Sequence, residues 1–224
     1  MEKILLISHA TAGGLTLISG LMAAFIGKKG NKLHKQVGRV FLWSMLWIFI
    51  SALLIISLLR FNFFLLIIAV FSFYMSFSGI RVLKIKKDGI VKWYDWTASI
   101  ITILFGLSLI FIGARLLLIN GISSTMGYLS LFFGFFTANT GWLYYKGFRR
   151  TEQPKLWWWF AHMNSMCGAL IASITAFLVQ NGESLGVSNN MSWVLWALPA
   201  AIGSPLISYW ARKYRKQFCI VSSK

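Results

Sequence analysis

Seven apolar stretches of about 20 residues, joined by short polar connections, constrain this chain more than any other feature. A helix of that length rises about 30 Å, the thickness of a bilayer's hydrocarbon core. The stretches lie at about 4–26, 37–59, 63–83, 96–118, 126–145, 157–179 and 193–211. Only 12% of the residues are charged, about half the usual soluble share. With 58% hydrophobic residues and a mean hydropathy of +0.70, too few polar side chains remain to cover a water-facing surface. The expected fold is all-α: a polytopic membrane bundle of about seven transmembrane helices. The expected domain is single, residues 1–224, with a short basic tail at about 212–224.

The net charge of +17 would fit a nucleic-acid or acidic partner, but its placement points elsewhere. Of the 22 basic residues, 19 fall in or beside four segments: residues 28–39, 81–92, 146–155 and 212–224. Only Lys3, Arg60 and Arg115 lie outside them. Basic residues concentrated in alternate short loops mark the cytoplasmic side, giving N-out and C-in. No nucleic-acid motif accompanies the charge, so nucleic acid is not expected as a partner. Aromatic residues flank the same segments at Trp93, Tyr94, Trp96, Trp157, Trp158, Trp159, Tyr209 and Trp210, as interfacial anchors do. The opening MEKILLISHATAGG lacks a basic leader, and its apolar run continues to Ile26. It reads as a first span rather than a cleaved signal. Cys167 and Cys219, in an apolar run and the basic tail, do not suit a disulfide. Pro199, Gly203 and Pro205 predict a kink or an unwound turn in the seventh helix.

A weak internal repeat organises the candidate site. Residues 71–96 and 133–162 each give an aromatic run, a hydroxyl residue before glycine (Ser78-Gly79, Thr140-Gly141), a basic loop and tryptophans before a polar residue. Ser19-Gly20 and Lys32-Leu33-His34 echo the pattern. The expected arrangement is three helical hairpins plus one helix, with His34, Asp95 and His162 at equivalent inner positions. Ionisable residues at membrane depth are costly and often functional. Two imidazoles and a carboxylate suit a divalent metal, zinc or iron. Alternatively, His34 and His162 could be axial ligands to a b-type haem between facing helices. Glycine follows histidine by four residues at His9…Gly13 and His34…Gly38, which would let a flat macrocycle approach the backbone. Asp95 also reads simply as a cap of the fourth helix, and His34 as an interfacial residue among lysines.

His9 lies on the opposite side and heads a stripe of small residues with Gly13, Thr16 and Gly20. Such stripes mark close helix contact, and a buried, hydrogen-bonded histidine is expected there. Asn139, Asn164 and Ser165 are expected to line a polar inner pocket. The seventh stretch holds no lysine, which excludes a retinal Schiff base of the rhodopsin kind.

His9-Ala-Thr-Ala-Gly13, the run Lys29-Gly30-Asn31-Lys32-Leu33-His34-Lys35-Gln36-Val37-Gly38, and His162 with Ser173-Ile174-Thr175-Ala176-Phe177 resemble a group of bacterial multi-pass membrane proteins of unknown function. The resemblance spans most of the chain and implies a bacterial inner-membrane location. It carries over no substrate or catalytic residue. The layout also invites comparison with intramembrane zinc hydrolases of the ceramidase and adiponectin-receptor kind, but their His-x-x-x-His pair in the last helix is missing. Three functions are therefore expected alternatives: a metal or haem redox protein, a transporter or small-molecule-binding protein, and a non-catalytic component of a membrane complex. The expected surroundings are the lipid bilayer and a membrane-protein partner or a second copy of the chain.

Overall fold

The computed structural model describes residues 2–26, 28–187 and 192–218. Within them the chain forms seven α-helices and no strand. These are α1 (Glu2–Phe25), α2 (Lys32–Leu58), α3 (Phe63–Asp88), α4 (Trp93–Asn120), α5 (Thr125–Phe148), α6 (Trp157–Gln180) and α7 (Ser192–Gln217). All but α5 are long and apolar enough to cross a membrane. This is a multi-pass helical membrane protein, and its many exposed aliphatic and aromatic side chains face lipid.

Local chemistry sets the helix ends. Asn31 caps α2 by accepting the His34 amide at 2.8 Å, and Asn62 caps α3 by accepting the Leu65 amide at 2.9 Å. Each satisfies an amide that the first turn leaves without an intrahelical partner. Gly89 ends α3 in the left-handed conformation at φ 68°, which costs glycine little. Beyond α1, Lys29 folds back so that its Nζ donates to the Ala23 and Ala24 carbonyls. That places a cation on the negative end of the helix dipole. Burial pushes the Lys29 ammonium below its ordinary pKa, with the nearby Cys167 acting in the opposite direction.

The expected hairpins give way to different packing pairs. The basic loops do join α1 to α2, α3 to α4 and α5 to α6. Yet only α1 and α2 pack closely as such a pair; α3 packs mainly on α6, and α4 on α5. The reason is the placement of residues without side-chain bulk. Gly106 and Gly113 on α4 face Gly127, Gly134 and Gly141 on α5, all at seven-residue spacing. Backbone meets backbone along this seam, from Ser99 beside Gly141 to Leu117 beside Gly127. The seam covers nineteen residues of α4, from Ser99 to Leu117, about 27 Å of rise. Thus α5 crosses the same depth as α4, although Thr137, Asn139 and Thr140 lower its hydropathy.

Helix α7 is continuous across its prolines. It runs without an unwound turn from Ser192 to Gln217, with Pro199 and Pro205 inside it. Gly203 brings α7 against the Ile171 side chain of α6, where a Cβ would collide. The basic segment read as a tail is helical to Gln217. Cys219 and the rest of that tail lie outside the described residues.

Candidate ligand-binding chamber

An apolar concavity opens where the basic ends of α1, α2, α3, α6 and α7 meet. It is a chamber of about 470 Å³, within the usual range for small-molecule sites. Its walls are mainly apolar: Phe41, Leu42, Ile80, Leu83, Met163, Met166, Leu170 and Trp210 among others. Exposed Lys35 and Arg39 border its mouth, with Lys29 beside them. At its far end lies Leu170, thirteen residues into the 24-residue α6. That is about 20 Å along the helix, so the chamber reaches the middle of the membrane.

Two of the three predicted inner residues meet here. The Asn31 cap fixes His34 in the first turn of α2, and α6 carries His162 past its tryptophan cluster. Both rings line the chamber, with centroids 6.4 Å apart and planes at 75°. His162 Nδ1 lies 2.8 Å from the Gly79 carbonyl of α3. A carbonyl only accepts, so Nδ1 donates and Nε2 is left with the lone pair. His34 Nδ1 is buried and has no hydrogen-bond partner among the described residues. An imidazole nitrogen buried in that way is costly unless something else satisfies it.

Asp95 does not join the histidines. Its carboxylate is held by Arg81 in two parallel bonds, Nε to Oδ1 at 2.6 Å and Nη2 to Oδ2 at 2.7 Å. It also caps α4 by accepting the Lys92 amide at 2.9 Å. Arg81 lies one α-helix away and is buried, with its guanidinium 4.8 Å from the centre of the Tyr94 ring. A bidentate arginine uses the carboxylate's geometry fully, which is why Asp95 stays with α3. Among the described residues no three His, Cys, Asp or Glu side chains gather as a metal-ligating group. The three-ligand site expected from His34, Asp95 and His162 is thus not assembled.

The expected polar pocket is also rearranged. Asn139 and Asn164 are exposed on the outside of the bundle, because their positions on α5 and α6 turn away from the packed faces. Ser165 is buried but pairs with Tyr144 Oη at 2.6 Å, next to Gly79. With the Tyr74–Ser99 bond at 3.0 Å, it forms a polar layer that joins α3, α4, α5 and α6. At the other end, His9 Nδ1 lies 2.7 Å from Ser51 Oγ, bridging α1 to α2. His9 borders a second cavity of about 570 Å³ with Glu2, Arg60, Asn62 and Gln180.

The chain matches no protein family, no curated protein and no solved structure. The function therefore has to be read from the chamber. Its mouth offers positive charge and two imidazoles, and its depth offers mainly hydrocarbon and sulfur contacts. The sequence pattern did not expose Lys29, Cys167, Leu170 or Trp210 as chamber residues. Their place depends on how α1, α6 and α7 converge, which no local spacing encodes.

Proposed function

We propose that this protein is a membrane-embedded binding protein for an anionic, largely apolar small molecule. The observation that carries the reading is the chamber itself: apolar from Phe41 to Leu170, and basic at Lys35 and Arg39. An apolar body is stabilised by leaving water, at about 25 cal/mol per Å² buried. An acidic group meets the basic residues at the mouth, which the positive-inside rule puts on the cytoplasmic side.

The test is photolabelling of the full-length protein in lipid nanodiscs with a diazirine fatty acid. Adducts are expected on the Met163–Leu170 segment and at Leu42. Gly38→Trp should remove them, because Gly38 borders the chamber and has open space where a Cβ would stand. Adducts confined to lipid-facing residues such as Trp43 and Trp47, equal in the variant, would end this reading.

A transport role is the second reading, favoured by the outer cavity on the same α1–α2–α6 seam. Buried Thr16, Met45, Ser51 and Ala172 separate the two cavities. Transport requires that layer to open. Thr16→Cys, in a chain with Cys167 and Cys219 changed to serine, should then react with membrane-impermeant thiol reagents from both faces. Protection from both faces would exclude transport through this seam.

A further inference from the structure

We infer that the molecule held in the chamber is a haem-type metalloporphyrin, with His34 and His162 on opposite faces of its iron. The inference rests on the chamber being a binding site, and it goes further by naming the ligand's class. Four independent features support it.

The first is the separation of the rings. Two imidazoles on opposite sides of one metal, with bonds of roughly 2 Å and each nitrogen about 1 Å from its ring centre, stand about 6 Å apart between centroids. The observed centroid separation of 6.4 Å matches that spacing.

The second is the outer bonding of His162. Ligating histidines usually donate their other ring N–H to a carbonyl or carboxylate, which fixes the ring and the tautomer. The Gly79 carbonyl takes that role here. The unpartnered, buried His34 Nδ1 supplies a second ligand-seeking nitrogen.

The third is room. Gly38 lies one turn beyond His34, borders the chamber and has nothing within 4 Å of a built Cβ. A flat macrocycle can therefore come close to the α2 backbone. Gly20, the other glycine of the chamber wall, is by contrast packed against Leu170 and Phe41. The fourth is polarity. Phe41, Met166 and Leu170 suit the macrocycle, and Lys35 and Arg39 at the mouth suit two carboxylates.

The test is a titration of the tag-free, full-length protein in lipid nanodiscs with hemin, followed by absorption. One equivalent should give a six-coordinate, low-spin spectrum distinct from that of hemin in empty nanodiscs. His34→Ala and His162→Ala should each convert it to a five-coordinate, high-spin spectrum. Affinity should fall at least as far as outer-shell losses do, roughly 10–100-fold. His9→Ala should leave the spectrum unchanged. A low-spin spectrum that survives the His34→Ala/His162→Ala double variant overturns the assignment. So does a spectrum identical to that of empty nanodiscs. If hemin fails while the diazirine fatty acid still labels the chamber, the haem assignment alone falls. If neither binds, the binding reading falls with it.

Discussion

Replacing Asp95 with alanine is expected to destabilise the folded protein by about 3–5 kcal/mol, because it leaves the Arg81 guanidinium buried without its counter-charge. Three hydrogen bonds from two partners depend on this carboxylate. Arg81 donates twice, and the Lys92 amide donates once at the start of α4. Loss of the carboxylate therefore unpairs a charge and uncaps a helix together. Asp95→Asn keeps an acceptor for Lys92 but not the charge, and should fall between wild type and alanine. The informative comparison is the double variant Arg81→Met/Asp95→Leu. Replacing both ions with apolar side chains removes the desolvation cost along with the attraction, and is often neutral or better. Thermal unfolding in one detergent should thus rank the double variant above Asp95→Ala. A double variant no better than Asp95→Ala would show that the pair contributes attraction beyond its burial cost. Hemin titration of folded Asp95→Ala should be unaltered, since Asp95 does not line the chamber.

The bundle was legible from the sequence because membrane depth imposes a length on every span and charge imposes a side on every loop. The pairing of helices was not, because it depends on small residues whose partners are remote in sequence. Asp95 shows the difficulty. Its cap of α4 is visible from its place after Lys92, but its pairing with Arg81 is not. Arg81 reads in sequence as one more basic residue near a loop, and only the close approach of α3 and α4 at that end buries it. His34 and His162 were singled out by chemistry, since intramembrane histidines are few, and they do meet. Asn139 and Asn164 stand out in the sequence by polarity alone, and they turn outward. Polarity marks a residue but does not give its helix face when the whole helix is apolar enough to hide the periodicity. The glycines at 106, 113, 127, 134 and 141 carried a usable signal, a shared seven-residue spacing that keeps them on one face of each helix.

That spacing leads to the largest single effect expected here. Gly106→Leu should prevent α4 and α5 from assembling, and should yield little or no monodisperse protein in detergent. A Cβ at position 106 would already overlap the Ala138 amide nitrogen and the Gly134 carbonyl oxygen. Both are backbone atoms of α5, so no rotamer change relieves the clash. Ordinary overpacking of a core costs about 1–3 kcal/mol because side chains can shift. Here a whole helix has to move, which puts the cost above about 4 kcal/mol, the level that marks a specific structural failure. Gly106→Ala tests the same contact with the smallest possible side chain and should give folded but clearly less stable protein. Gly13→Ala is the control, since Gly13 has open space and alanine favours a helix by about 0.5–1 kcal/mol. Equal melting temperatures for Gly106→Ala and Gly13→Ala would refute the backbone contact. No α4 or α5 residue lines the chamber. Folded Gly106→Ala should therefore still show wild-type labelling of the Met163–Leu170 segment, so that stability falls while binding does not. Such a split would separate the two parts of the bundle: α4 and α5 hold the fold together, while α1, α2, α3, α6 and α7 enclose the chamber.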